Sequence, residues 1–173
     1  MTLAIDIYKP GQWHDFFLLV GTGATALTGL VFVAMSINLK AVVSDTTHRY
    51  RAMILVGGFG AVLIRCGLVL MGGQAHVAVG AELLTVCAVM MLLTLGAYWR
   101  AAGTGSGLPR SSLYRTVGGS SCLLAEMAGA AILISGSIAG LYVAAIAMVS
   151  GFCFLFSGSW LLLVGASSPS TDG

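Results

Sequence analysis

Five long apolar stretches, separated by short polar segments, dominate the chain. A helix that crosses a membrane needs about 20 mostly apolar residues, and each stretch is long enough. The stretches cover about Phe16–Ile37, Ala52–Gly72, Val77–Trp99, Thr116–Ser135 and Ala139–Val164. This pattern predicts an all-α fold, a polytopic transmembrane helix bundle with about five spans.

Two of the connections are very short and contain glycine. Gly72-Gly73-Gln74 and Gly136-Ser137 are each typical of a tight turn between antiparallel helices. The fourth stretch is less apolar at its start, where Gly118, Gly119, Ser120 and Ser121 follow one another. A bundle of four spans with one re-entrant segment is therefore an alternative. Either way we expect one bundle domain, residues 1–166, followed by a short polar tail, residues 167–173.

The composition agrees with a membrane location. Of the 173 residues, 58% are hydrophobic and 8% are charged, whereas about a quarter of the residues in ordinary soluble domains are charged. The mean hydropathy is +0.98. These values exclude a soluble enzyme, and a net charge of +2 is too small to indicate nucleic acid as a partner. The predicted environment is the lipid bilayer.

Basic residues predict how the bundle is oriented. Loops that stay in the cytoplasm carry an excess of Lys and Arg. The connections after the first and third spans are basic, with Lys40, Arg49, Arg51, Arg100, Arg110 and Arg115, while the two short turns carry no charge. We therefore expect the N-terminus outside and the C-terminus inside.

The chain contains 24 glycines, and several recur at four-residue spacing. Such stripes include Gly21-Thr25-Gly29 and Ser121-Ala125-Gly129. In lipid, small residues let helix backbones approach closely. The stripes fit tight packing within one bundle, and they also fit assembly into a homo-oligomer or a larger membrane complex.

Three ionisable residues lie inside the predicted spans: Arg65, Glu82 and Glu126. At about 1.5 Å of rise per residue, all three are roughly 12 to 14 Å below the outer boundary. Arg65 keeps its charge in proteins and needs a partner in a membrane. Because Arg65 and Glu82 flank the same turn at equal distances, Glu82 is the first candidate and Glu126 the second.

This buried polar cluster has two interpretations. One Arg facing two Glu leaves a second carboxyl group, so the cluster could transfer a proton or contact a small ion. Alternatively, it could be a structural salt bridge that locks three helices together. Charged groups inside membranes commonly mark functional sites, but spacing alone does not separate the two interpretations.

Weaker candidates lie near the outer boundary. His14, Asp15 and His76 are expected there as polar residues at the mouth of the bundle. No ligand spacing typical of a metal site accompanies them, so we predict neither a metal nor a cofactor.

The four cysteines are distributed one per span over spans two to five. No Cys-x-x-Cys pair occurs, so templates for redox and zinc chemistry are missing. We expect the cysteines to pack as small apolar residues. Since the sequence also contains no recognisable catalytic set, we do not expect an enzyme.

The first span opens with Trp13-His14-Asp15-Phe16-Phe17 and continues through Ala24-Thr25-Ala26-Leu27-Thr28-Gly29-Leu30 to Phe32-Val33-Ala34. This segment resembles the opening of a group of small, mostly uncharacterised integral membrane proteins of bacteria, particularly actinobacteria. The resemblance covers about 30 residues. It implies a multi-pass protein of the bacterial cytoplasmic membrane and carries no site residues with it.

Two functional hypotheses follow from the sequence. The first is a small channel or transporter, in oligomeric form if it is a pore, that uses Arg65, Glu82 and Glu126 along a polar path. The second is a non-catalytic accessory, scaffold or modulator subunit of a larger membrane complex. A cavity that reaches the cluster favours transport, whereas a cluster sealed by packed helices favours the accessory subunit.

Overall fold

The computed structural model describes residues 10–37, 46–103 and 110–166, and these form five helices. The helices are α1 (Pro10–Ile37), α2 (Thr46–Leu70), α3 (His76–Gly103), α4 (Arg110–Ile134) and α5 (Ala139–Ala166). All five are long and apolar enough to cross a membrane, which confirms the predicted all-α bundle of five spans. Helix α4 runs without interruption through Gly118 and Gly119, so the alternative with a re-entrant segment is wrong.

The two predicted turns are present, and each uses a glycine in the left-handed region. Gly73 has φ = 80° and Gly136 has φ = 91°, values that favour a residue without a Cβ atom. At the second turn the amide of Ser137 donates to the carbonyl of Ile132 (3.3 Å), and the amide of Gly136 donates to that of Leu133 (2.9 Å). This Schellman pattern ends α4 and reverses the chain direction.

The turns define two ends of the bundle. We call the end with residues 71–75 and 135–138 the turn end, and the opposite end the loop end. Helices α2 and α4 run from the loop end to the turn end, whereas α1, α3 and α5 run in the opposite direction. The charge distribution predicts that the loop end is cytoplasmic. Lys40 and the tail 167–173 lie outside the described residues.

Helices α2, α3, α4 and α5 pack in a ring, and α1 packs on the outside of it. Each ring helix contacts the next in sequence, and α5 closes the ring against α2. Helix α1 lies mainly on α2 and touches α5, where the rings of Trp13 and Tyr142 meet at 4.8 Å between centroids. The ring thus encloses an interior that is lined by one face of each of four helices.

Glycine brings α4 and α5 into backbone contact near the turn end. A Cβ atom added to Gly129 would lie 2.6 Å from the amide nitrogen of Ala144 and 2.6 Å from the carbonyl oxygen of Gly140. In the stripe on α1, Gly21 lies close to α2, since an added Cβ atom would be 3.1 Å from the Cβ atom of Cys66, whereas Thr25 and Gly29 are exposed. The stripe through Gly129 therefore serves packing within the bundle.

A tightly packed apolar core occupies the turn end of the bundle, both inside the ring and between the ring and α1. Its members are buried side chains from all five helices, including Phe17, Val69, Val79, Leu83, Ala130, Leu133 and Leu141. On α2 and α4, these residues lie between the ionisable residues and the turn end. The core therefore separates Arg65 and Glu126 from that end of the bundle.

Candidate functional site: a buried ion pair at the end of a cavity

Arg65 is buried in the middle of α2 and has three close partners. Its Nη1 donates to Oε2 of Glu126 on α4, forming an ion pair. Its Nε donates to the carbonyl oxygen of Ala61, one turn earlier in the same helix, at 3.0 Å. The Sγ atom of Cys87 on α3 accepts from Nη1 at 3.5 Å. The guanidinium group thus connects three of the four ring helices.

Side-chain tilt explains why Arg65 meets Glu126. In a helix each Cα–Cβ bond tilts toward the helix N-terminus, so long side chains reach back by about one turn. Helices α2 and α4 both begin at the loop end, so Arg65 and Glu126 extend in the same direction. The bond from Arg65 to Ala61 shows this directly. The two charged groups therefore arrive at the same depth.

Glu82 does not belong to this pair, so the prediction that it is the first partner of Arg65 is wrong. Its carboxylate oxygens accept from Nε2 of Gln74 at 3.0 and 3.1 Å. Helix α3 begins at the turn end, so Glu82 tilts toward that end and away from Arg65. Equal distance from the turn therefore did not bring Arg65 and Glu82 together, and of the two predicted partners only Glu126 contacts Arg65.

Glu126 is almost fully buried, with 2% of its surface exposed. Its Oε2 is paired with Arg65, whereas its Oε1 is buried and accepts no hydrogen bond from the part of the chain that the structure describes. Buried polar atoms nearly always have a partner, and leaving one unpaired costs about 1–3 kcal/mol. The unpaired Oε1 is therefore the most unusual atom of the site.

A cavity of about 170 Å³ ends at this ion pair. It lies inside the ring and is lined by residues of α2, α3, α4 and α5, among them Arg65 and Glu126. From these two it extends past Thr94 to Ile54 and Thr116 near the loop end. The ten or eleven residues between these levels correspond to about 15 Å along the helices. The cavity thus occupies the loop-end half of the ring.

Most of the cavity wall is apolar. Met90, Met148, Phe154 and Leu155 supply much of it, and Thr94, Thr116 and Cys122 add polar or weakly polar groups. The ion pair is therefore the only charged part of the lining among the described residues. Since Arg65 and Glu126 carry opposite charges, the lining has no net charge.

The outer polar candidates do not join this site. His14 contacts its neighbour Asp15, with 3.2 Å between Nδ1 and Oδ1, and both are exposed near the start of α1. His76 begins α3 and lies near Gly136 of the second turn. These residues lie at the turn end, and the apolar core separates them from the cavity.

Sequence reasoning missed the role of one cysteine. Cys87 is fully buried and lies beside both members of the ion pair, with its Sγ accepting from Nη1 of Arg65 and its thiol next to the carboxyl group of Glu126, whereas we expected it to pack as an apolar residue. In the sequence, Cys87 is one of many small or apolar residues of its span, so nothing there indicates a contact with Arg65. The contact becomes predictable only once the tilt of Arg65 toward the level of Ala61 is known.

No group of three His, Cys, Asp or Glu side chains that could hold a metal ion occurs among residues 10–37, 46–103 and 110–166. The four cysteines are free thiols; Cys66 and Cys87 are buried, Cys122 lines the cavity and Cys153 is exposed on the outside of the bundle.

Fold and site together define a class, that of small multi-pass helical membrane proteins with a charged pair inside the bundle. Comparisons with protein-family models, with curated proteins and with solved structures gave no match.

Proposed function

We propose that this protein is a small membrane carrier that binds its solute at the Arg65–Glu126 pair and opens to one side of the membrane at a time. The observation that carries the proposal is the cavity, which runs from the level of Ile54 and Thr116, near the loop end, to the ion pair. We further propose that it resides in a bacterial cytoplasmic membrane with the loop end inside.

The closed turn end favours a carrier over a channel. A channel needs a continuous polar path, but the apolar core with Val69, Leu83, Leu133 and Leu141 fills the ring beyond the ion pair. A carrier alternates between two states, each with a cavity on one side and a closed barrier on the other. In this proposal, the arrangement of helices described above is the state that faces the loop end.

Accessibility of single cysteines tests this proposal. In a background with all four native cysteines replaced by Ala, T94C places a thiol on the cavity wall and A130C places one in the core. Ala130 is fully buried. In oriented proteoliposomes, a charged membrane-impermeant thiosulfonate reagent should modify T94C from the loop side only. A carrier should also allow slow modification of A130C from the turn side, when the core opens.

Two controls make the result interpretable. S135C, at the exposed turn end, reports that the reagent reaches that side, and L92C, on the exposed face of α3, reports background reaction in lipid. If A130C stays as unreactive as L92C from the turn side, the carrier proposal is wrong. Proton flux no greater than in empty liposomes is also expected, and a large steady flux would instead indicate a channel.

The second candidate is a non-catalytic accessory subunit. The Arg65–Glu126 pair supports it, because a buried pair that joins α2 to α4 also fits a purely structural lock. In that case T94C could still react from the loop side, but A130C should never react from the turn side. The same labelling experiment therefore separates the two candidates.

A further inference from the structure

The cavity has the size and lining of a site for a single aromatic ring. An apolar protein cavity of about 150 Å³ is known to bind benzene, and this cavity measures about 170 Å³. Its wall includes Phe154, Met90 and Met148. Aromatic side chains and methionine sulfur both make favourable contacts with aromatic rings. A flat apolar ligand would therefore find suitable partners along the wall.

At the closed end of the cavity, Glu126 has a carboxylate oxygen to which a ligand could donate a hydrogen bond. Glu126 lines the cavity, and its Oε1 is a buried atom that accepts no hydrogen bond among the described residues. A ligand hydroxyl directed at Oε1 would satisfy this atom, and hydrogen bonds to charged acceptors are about twice as strong as neutral ones. A ligand without a donor would leave the atom unpaired.

The charge of the site favours a neutral ligand. Arg65 and Glu126 compensate one another, and no other ionisable side chain of the described residues lines the cavity except the Cys122 thiol. A charged ligand would lose its hydration on entering the cavity and would find no unpaired opposite charge there. Such a transfer is costly in an apolar environment.

We propose that the cavity binds a neutral monocyclic phenol, with the ring between Met90, Met148 and Phe154 and the hydroxyl donating to Oε1 of Glu126. This inference rests on the proposed function for the place of binding and adds the chemical class of the solute. It concerns binding alone, so it is testable without transport.

Two matched probes test the hydroxyl. 4-Fluorophenol and 4-fluorotoluene have nearly the same shape, and the methyl group of the second replaces the donor of the first. ¹⁹F NMR titrations of the full chain in lipid nanodiscs, corrected with empty nanodiscs for partition into lipid, give both affinities. We expect 4-fluorophenol to bind about tenfold more tightly, in line with one hydrogen bond to a charged acceptor.

Two substitutions locate the site. E126Q keeps the side-chain size, but its one carbonyl oxygen faces Arg65 and its amide presents donors, so the preference for 4-fluorophenol should fall below about threefold. G119L should abolish binding of both probes, because a Cβ atom at Gly119, on the cavity wall, meets nothing within 4 Å and the side chain fills the space. G29L is the matched control, since Gly29 is equally open but lies on α1 outside the cavity.

The results of these experiments distinguish failure of the phenol-binding proposal from failure of the carrier proposal. Equal affinities for the two probes, no binding of either, an undiminished preference in E126Q, or binding to G119L as in the native chain would each overturn the inference. G119L leaves the ion pair in place, so it remains informative if E126Q does not fold. If A130C never reacts from the turn side while the tenfold preference is found, the carrier proposal fails and the phenol site stands.

Discussion

Arg65 of α2 and Glu126 of α4 form an ion pair in the middle of the bundle, with 4% and 2% of their surfaces exposed. Neither residue is near the other in sequence, and their helices are not consecutive. The pair closes one end of the cavity and at the same time links opposite helices of the ring. Any role of the site, in binding or in folding, depends on this contact.

The identity of the partner is directly testable through stability. Removing one member of a buried ion pair leaves an uncompensated charge and costs about 3–5 kcal/mol. We expect R65M to lower the free energy of unfolding by this amount, and R65M/E126L to recover most of it, because no charge remains. Unfolding in mixed micelles, followed by circular dichroism, gives the values.

E82Q is the matched control for the ion pair. Glu82 accepts only from Gln74 among the described residues, so E82Q should change the free energy of unfolding by less than about 1 kcal/mol. If R65M/E82L were more stable than R65M/E126L, Glu82 rather than Glu126 would be the carboxylate that compensates the charge of Arg65.

The contact between α4 and α5 predicts a strong dependence on the size of residue 129. G129A places a methyl group 2.6 Å from backbone atoms of Gly140 and Ala144, which cannot move aside without separating the helices. We expect a loss of about 1–3 kcal/mol, typical of overpacking. The melting temperature in detergent measures it, and G119A, with no neighbour within 4 Å of the added Cβ atom, should melt as the native chain does.

An aromatic contact holds α2 against α5. Phe59 is fully buried, and its ring meets that of Phe152 edge-on at 5.7 Å between centroids. In lipid this packing is a main source of stability, so F59A should cost about 2 kcal/mol or more. F154A removes the same atoms from a ring that is 41% exposed, and it should cost clearly less in the same unfolding assay. If F59A and F154A lowered the free energy of unfolding equally, the burial of Phe59 between α2 and α5 would not contribute to stability as proposed.

The charge distribution predicts the side on which the C-terminus lies. A green fluorescent protein fused after Gly173 should fluoresce in bacterial cells, because this protein matures in the cytoplasm, whereas alkaline phosphatase fused at the same position should be inactive. The six Lys and Arg residues in the sequence connections after the first and third spans account for the expected orientation. The opposite pair of results would place the cavity opening outside the cell.

The sequence by itself determined the five spans, because stretches of about 20 apolar residues have one stable form in a bilayer. It also determined both turns, since Gly73 and Gly136 adopt backbone angles that favour glycine. The three ionisable residues of the interior could be named in advance for the same reason, that charges in an apolar span are conspicuous.

Only the tertiary structure decided which of these residues meet. Distance from the turn placed Arg65 and Glu82 at the same level. However, side chains of antiparallel helices tilt in opposite directions, and the carboxylate of Glu82 accepts from Gln74 instead of Arg65. Arg65 and Glu126 meet because α2 and α4 run in the same direction across one ring. The cavity likewise arises from how four helices close around shared space, a property that no single span contains.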